Sequence, residues 1–178
     1  GGDEWKIVYR KFIALTQIEF QSLDTGYICG SYLYRTTDGG FNWTQINTPA
    51  ITAESMSILN QDTIFLVDQN SLVGGIYRTT NGGVNWVRQS TDRMNIIYFY
   101  DRNLGFAGNT GLGKMYRTTN AGENWDSVGY VGVTDIKFIN NLTGWMTDNR
   151  SDSSMQKTTD GGFTWKRQQL PHGSKFLL

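Results

Sequence analysis

Five acidic residues are the first candidates for chemistry in this sequence. Hydrolysis of a glycosidic bond needs two carboxyl groups that face each other across a sugar, about 5 to 9.5 Å apart. The residues that the chain offers for such a pair are Glu19, Glu54, Asp101, Asp135 and Asp148. None of them belongs to a recognisable catalytic string. We therefore predict no catalytic residue, with a glycoside hydrolase as the alternative.

Metal and thiol chemistry are limited by the supply of ligands. The chain has one histidine, His172, and one cysteine, Cys29. A zinc site of the usual His/Cys kind needs more such ligands than these two, so we predict no metal site and no cofactor. Cys29 falls in a predicted strand and is interpreted as a small buried apolar residue. His172 follows a proline in a polar stretch and is interpreted as an exposed loop residue.

The composition excludes several classes of partner and indicates an all-β protein. The 16 Lys and Arg residues balance the 16 Asp and Glu residues, so no net positive field attracts nucleic acid or an anionic membrane. No apolar run reaches the roughly 18 residues of a membrane span, so we predict no membrane insertion. The 21 glycines and 2 prolines, with 13% aromatic residues, favour short strands joined by tight turns.

A repeated segment of ten residues organises the chain. Residues 34–43 read YRTTDGGFNW, and close copies occupy residues 77–86, 116–125 and 156–165. We call these four segments box 1 to box 4. They end at Trp43, Trp86, Trp125 and Trp165, which are separated by 43, 39 and 40 residues. The chain opens on Gly1-Gly2-Asp3-Glu4-Trp5, the second half of the same segment, so it begins inside a repeat.

Each repeat predicts four strands. Apolar alternation marks the first strand at 18–20, 56–58, 97–99 and 136–138. An aromatic residue leads the second strand at Tyr27, Phe65, Phe106 and Trp145. The third strand enters each box and the fourth follows each box tryptophan. A glycine precedes the second-strand aromatic residue in three repeats, and Ile64 in its place predicts a different turn in the second repeat.

Each box predicts a tight turn between the third and fourth strands. Its acidic or amide side chain accepts hydrogen bonds from backbone N–H groups two or three residues on, at Asp38, Asn81, Asn120 and Asp160. The glycines that follow supply the positive φ of such a turn, although Ala121 replaces the first of them in box 3. Each tryptophan packs under the turn and buries roughly 150 to 250 Å². We interpret the boxes as structural anchors.

These residues carry a family resemblance. The boxes match the pattern (Ser/Thr)-x-Asp-x-Gly-x-(Thr/Asn)-Trp, and on them the chain resembles the Asp-box, or bacterial neuraminidase repeat, β-propellers. The longer string that ends in Thr-Thr-Asp-Gly-Gly is most similar to propellers of the photosystem II stability and assembly factor type. The resemblance implies four-stranded antiparallel blades in one domain over residues 1–178. Trp5 and the segment Lys175 to Leu178 then belong to incomplete blades, so we expect a partial ring completed by further blades or another chain. A closed four-bladed ring is the alternative.

A basic residue recurs on the third strand, at Arg35, Arg78, Arg117 and Lys157. In one interpretation the aliphatic stems pack between blades, and the charged groups pair with backbone carbonyls or neighbouring acids. In the other, which the resemblance implies, these residues form an arc that binds an acidic partner or chain terminus. Tyr32, Tyr100 and Tyr130, predicted to be exposed, would add aromatic contacts.

Asp-box propellers differ in activity, so the resemblance does not fix one. We expect a non-catalytic scaffold for protein–protein binding, either assembly-factor-like or part of an exported or cell-surface protein. The alternative is a glycan-binding or glycoside-hydrolysing propeller of the sialidase or xyloglucanase kind. The expected partner is an acidic protein and not a nucleic acid. The expected location is exported: periplasmic, lumenal, cell-surface or secreted.

Overall fold

The computed structural model describes residues 14–50, 52–111, 113–130, 132–149 and 155–168. Within these ranges the chain forms strands β1 to β16 and no helix. The strands make four antiparallel sheets, and each sheet takes four strands that are consecutive in sequence. The prediction of an all-β chain with four strands in each repeat is confirmed. Because the described part holds no helix, it also holds no helix that could cross a membrane.

The strand bounds follow the predicted repeat closely. Sheet 1 contains β1 (Leu15–Phe20), β2 (Gly26–Gly30), β3 (Leu33–Thr36) and β4 (Thr44–Ile46). Sheet 2 contains β5 (Ser55–Ile58), β6 (Ile64–Asp68), β7 (Gly75–Thr79) and β8 (Val87–Ser90). Sheet 3 contains β9 (Ile96–Phe99), β10 (Gly105–Gly108), β11 (Lys114–Thr118) and β12 (Asp126–Tyr130). Sheet 4 contains β13 (Val133–Phe138), β14 (Gly144–Asp148), β15 (Met155–Thr158) and β16 (Lys166–Gln168).

The turn between the first and second strands is the same in all four sheets. Its first amide donates to the carbonyl four residues on, at 2.9 Å from Gln21 to Thr25 and at 3.0 Å from Leu59 to Thr63. The corresponding bonds in sheets 3 and 4 measure 2.9 and 3.0 Å. The prediction that Ile64 requires a different turn is therefore wrong.

The glycine before the second-strand aromatic residue serves packing across the strands. The first strand of three sheets ends in a phenylalanine that is the direct cross-strand partner of this glycine: Phe20 and Gly26, Phe99 and Gly105, Phe138 and Gly144. A Cβ atom on the glycine would lie 2.8, 2.5 or 2.6 Å from the phenylalanine ring. In sheet 2 the same pair is Ile58 and Ile64, so both partners change together.

The chain divides into two compact units, Gly1–Met94 and Asn95–Leu178, which we call unit 1 and unit 2. In unit 1, second- and third-strand residues of sheet 1 pack on the first strand of sheet 2: Tyr27, Cys29 and Leu33 against Met56 and Ile58. In unit 2, sheets 3 and 4 repeat the arrangement: Leu104, Phe106 and Met115 against Ile136 and Phe138. The single domain over residues 1–178 stays a prediction. Trp5, His172 and the segment Lys175 to Leu178 lie outside the described residues.

Candidate functional site

A buried threonine is the centre of each box. In box 4 the Thr158 hydroxyl donates to Asp160 at 2.8 Å and accepts the amide of Gly162 at 2.9 Å. The other boxes repeat both bonds within 0.1 Å through Thr36, Thr79 and Thr118. All four threonines are 1% exposed. Reasoning from the sequence missed this role, because the threonine that follows each of them also recurs in every copy and yet is exposed.

The acidic or amide side chain of each box accepts the amide four residues on, one position beyond the predicted two or three, and at Asp38 and Asp160 the amide three residues on makes a weaker contribution. The donors are Asn42, Asn85, Asn124 and Thr164, at 2.9 to 3.1 Å. Two consecutive residues with positive φ, such as Gly161 (73°) and Gly162 (86°), turn the chain so that the amide four residues on points back to the side chain that accepts it. Asp160 also accepts the Thr164 hydroxyl at 2.5 Å. These carboxylates and amides are therefore engaged in holding turns.

The hydrogen bonds to Asp160 give stability a pH dependence. The hydroxyl and amide of Thr164 lower the pKa of Asp160 from its ordinary value of 3.8 to about 2. A depressed folded-state pKa contributes stability above the unfolded value, and this is lost as pH falls from about 4 toward 2. We expect Asp160→Asn, which keeps an acceptor as boxes 2 and 3 do, to remove this dependence. Thermal midpoints of both proteins between pH 7 and pH 2.5 test it, and a difference that does not shrink with falling pH would contradict it.

Box 3 carries a strained residue. Ala121 has φ 56°, and among the described residues it alone combines a side chain with positive φ. We expect Ala121→Gly to raise the unfolding free energy by about 1 kcal/mol, because the relief of left-handed strain exceeds the entropic cost of glycine. Urea denaturation measures the change. Ala107→Gly, inside β10, is the control and should lower stability; a loss in both variants would refute the strain assignment.

The box tryptophans are half-buried and hold the turns from below. The indole Nε1 of Trp43, Trp86 and Trp165 donates to a carbonyl of its own box at 3.0 to 3.1 Å. Trp86 also donates to the carbonyl of Asn47, between sheets 1 and 2, at 3.0 Å. The Nε1 of Trp125 is buried without an acceptor in the described part of the chain. Three tryptophans meet a first-strand phenylalanine edge to face, with ring centroids 5.9 to 6.2 Å apart.

The three candidate carboxylates of unit 2 each have a local partner. Asp101 accepts the amides of Asn103 and Leu104 at 2.7 and 2.8 Å, which makes it the side chain that closes the first turn of sheet 3. Asp135 accepts the neighbouring amide of Ile136 at 2.8 Å. Asp148 is 4% exposed and accepts the side-chain amide of Gln156 at 2.7 Å.

The two candidate carboxylates of unit 1 lie within electrostatic range of Cys29. Glu19 accepts the side-chain amide of Gln21 at 2.9 Å, and Glu54 accepts the Thr52 hydroxyl at 3.5 Å. Burial raises the pKa of the Cys29 thiol to about 11, and both glutamates act in the same direction. A thiol with so high a pKa is a poor nucleophile at neutral pH. No group of three His, Cys, Asp or Glu residues in the described ranges could hold a metal ion.

Arg117 is enclosed between sheets 3 and 4. It is 8% exposed, and its Nε donates to the carbonyl of Gly161 in box 4 at 2.6 Å. Its guanidinium carbon lies 4.0 Å from the centroid of the Phe163 ring. Burial lowers the pKa of Arg117, while Asp126 and Asp160 act in the opposite direction. These contacts match the interpretation in which the charged group pairs with a backbone carbonyl of the neighbouring sheet.

The other three basic residues are half-buried and differently placed. The Nε atoms of Arg35 and Arg78 are buried and find no acceptor among the described residues. Their guanidinium carbons lie 5.9 Å from the ring of Tyr27 and 5.7 Å from that of Phe65, on their own sheets. Lys157 places its ammonium 5.1 Å from the Trp145 ring. The repeated basic position thus holds side chains in different environments, and its role in partner binding stays a prediction.

Arg35 lines a cleft of about 320 Å³ within unit 1. Its other lining residues come from box 1 and β4 of sheet 1 and from Gly82 of box 2: Thr37, Asp38, Asn42, Thr44 and Ile46 besides Gly82. Gly82 is the counterpart in box 2 of Gly161 in box 4. Sequence reasoning did not find this cleft, because it depends on which side chain the neighbouring box presents to the arginine.

The tyrosines that are predicted to be exposed differ in their solvent exposure. Tyr32 is 46% exposed and meets Tyr34 edge to face, with ring centroids 6.2 Å apart. Tyr100 is half-buried, with its ring centroid 6.2 Å from that of Phe138, so the prediction that it is exposed is wrong. The core of unit 2 extends to this residue and covers it. The side chain of Tyr130 lies outside what the structure describes.

Comparison with known proteins identifies the fold. No family model and no curated protein matches the sequence. A GH74 enzyme from Niastella koreensis is 16% identical, with a TM-score of 0.68 over 86% of this chain and 30% of that chain. The four sheets are propeller blades. The GH74 xyloglucanase from Xanthomonas campestris gives a TM-score of 0.65 at 11% identity, over 85% of this chain and 30% of that one.

A third similar structure is YCF48 from Cyanidioschyzon merolae, with a TM-score of 0.52 at 19% identity. It covers 98% of this propeller chain and 77% of that chain. The chain thus spans less than a third of the two GH74 proteins and most of YCF48. At these identities the likeness concerns the propeller fold and not the activity.

Proposed function

We propose that this chain is a non-catalytic propeller scaffold of the Asp-box kind that binds an acidic protein partner through its third-strand basic residues. The observation that carries the proposal is the pair of half-buried guanidinium groups, Arg35 and Arg78, whose buried Nε atoms have no acceptor among the described residues. A buried donor without a partner costs roughly 1 to 3 kcal/mol. An acceptor supplied by a bound partner would recover that cost.

The acidic residues support the non-catalytic part of the proposal. The box aspartates Asp38 and Asp160 hold turns, and Asp101 closes another turn. Cys29 is buried with a raised pKa. A general acid or base has to exchange a proton with the substrate, and these three aspartates already accept hydrogen bonds within the chain. An exported location, and completion of the ring by further blades or another chain, belong to the same proposal.

Peptide binding to charge-removed variants tests the proposal. A fluorescent peptide of alternating Glu and Gly residues is titrated against the full chain, with the Gln and Gly counterpart as the neutral control. We expect the acidic peptide to bind more tightly, with an affinity that falls as salt rises. The Arg35→Gln, Arg78→Gln double variant should lose this preference while its thermal midpoint stays nearly constant.

Arg117→Gln is the matched variant for this experiment. Because Arg117 already donates to Gly161, its replacement should lower stability and leave the peptide preference in place. Retention of the preference in the double variant would contradict the proposal. Turnover of xyloglucan or a sialoside that is lost on replacing one carboxylate would establish the hydrolase alternative instead.

A further inference from the structure

The chain contains its own example of a guanidinium held by a peptide segment. Arg117 of sheet 3 contacts two groups of box 4: the Gly161 carbonyl at Nε, and the face of the Phe163 ring two residues further on. A carbonyl in the guanidinium plane and a ring over its face satisfy both surfaces of an arginine. Together they enclose Arg117 almost completely.

Arg35 occupies the same position in sheet 1 but lacks this enclosure. The counterparts of Gly161 and Phe163 in box 2 are Gly82 and Val84. Valine has no π face for a cation, and Val84 is 78% exposed. The Nε of Arg35 has no acceptor within the described ranges, and a cleft of about 320 Å³ lies between it and the other lining residues. That volume is at the lower end of the roughly 300 to 1,000 Å³ of small-ligand sites.

The charges around the cleft favour a neutral acceptor. Asp38 lies in the same cleft, and its carboxylate already accepts hydrogen bonds from Thr36 and Asn42. Inside the cleft a second carboxylate would meet that negative charge at close range, so the acidic groups of the partner have to lie outside it. A backbone carbonyl carries no net charge and is not repelled. Arg117 shows the same preference, because its Nε donates to a neutral carbonyl although Asp126 and Asp160 lie close enough to raise its pKa.

We propose that the Arg35 cleft binds a peptide segment of a protein partner in which a backbone carbonyl is followed, two residues on, by an aromatic side chain. The carbonyl accepts the Nε–H of Arg35 and the ring covers the guanidinium face, as Gly161 and Phe163 do for Arg117. The inference deepens the proposed function and rests on it for the class of partner. It assigns Arg35 a specificity for aromatic residues that net charge alone does not give.

The test uses a capped peptide with the sequence of residues 160–164, Asp-Gly-Gly-Phe-Thr, and a second peptide with Val in place of Phe. Each is titrated into the full chain while the Nε–H signals of the arginines are followed by NMR. We expect the Phe peptide to shift the Arg35 signal and to bind about ten-fold more tightly than the Val peptide. Arg35→Lys, which keeps the charge and loses the planar fork, should abolish the difference.

Val84→Phe provides the sharpest variant, because it places a ring in box 2 where box 4 has Phe163. In this variant Gly82 and the new ring should enclose Arg35 from within the chain. We expect a higher thermal midpoint and loss of Phe-peptide binding. Arg102→Gln, which removes an exposed arginine from the first turn of sheet 3, is the matched control and should bind both peptides as the unchanged chain does.

Three results would overturn the inference: equal binding of the Phe and Val peptides, an unshifted Arg35 signal, or Phe-peptide binding that survives in Val84→Phe. The alternating Glu and Gly peptide separates this failure from that of the proposed function. If the acidic peptide still binds in a manner that depends on Arg35 and Arg78, the scaffold proposal stands and the aromatic specificity is wrong. If neither the acidic peptide nor the Phe peptide binds, the scaffold proposal and the aromatic specificity are both wrong.

Discussion

Thr158→Val should lower the unfolding free energy by about 3 kcal/mol, one of the two largest effects that we expect in this chain. Valine nearly matches the shape of threonine, so the change removes only the hydroxyl. The buried amide of Gly162 then loses its acceptor, and Asp160 loses a donor. Both groups belong to one turn, and no other side chain in box 4 replaces the lost oxygen.

Thr159→Val is the control, because Thr159 is the adjacent threonine of the same box and is exposed. It should change stability by less than about 0.5 kcal/mol. Urea denaturation monitored by tryptophan fluorescence measures both variants. Equal losses in the two would show that the hydroxyl of Thr158 does not hold the box.

Gly144→Ala should cost about 2 to 3 kcal/mol. The added Cβ would lie 2.6 Å from the ring of Phe138. That ring is confined, because Phe106 stacks on it with ring centroids 4.8 Å apart and Trp165 makes a T-shaped contact with it at 6.0 Å. The overlap therefore has to be relieved by movement of the core of unit 2.

Gly26→Ala is the matched change in sheet 1, where the new Cβ would lie 2.8 Å from Phe20. Phe20 is 44% exposed and has room to rotate away, so the loss should be smaller. A double-mutant cycle completes the test: Gly144→Ile with Phe138→Ile recreates the Ile64 and Ile58 pair of sheet 2. The double variant should be more stable than the sum of the single changes predicts, by about 2 kcal/mol. Additive losses would refute the coupling.

The strands could be predicted because the repeat aligns four copies of each one. The four box tryptophans fix the register, and apolar alternation before Phe20, Phe99 and Phe138 marks the first strands. What the repeat does not reveal is why a residue recurs. The sequence pattern assigns the glycine at 26, 105 and 144 to a turn, but the structure shows that it makes room for the aromatic ring on the neighbouring strand. Only the paired change to Ile58 and Ile64 carried that information in the sequence.

The candidate site was less predictable, since its geometry depends on positions where the copies differ. Arg35 and Arg117 have the same sequence neighbours, Tyr on one side and Thr on the other. Their environments differ because box 2 has Val84 at the position where box 4 places the Phe163 ring over Arg117. Those residues lie 49 and 46 positions further along the chain, at the variable position of the box. Packing between sheets, and not the repeated motif, decides which arginine finds an acceptor in the part of the chain that the structure describes.

The short span of the box contacts has a consequence for how this protein folds and evolves. The threonine, aspartate or asparagine, and tryptophan bonds within a box join residues no more than four apart in sequence. Closing so short a segment costs little chain entropy, so each box can act as a folding nucleus before distant strands meet. Four such nuclei are spaced along the chain. Duplication or deletion of one repeat would leave the remaining nuclei intact, which favours change in blade number during evolution.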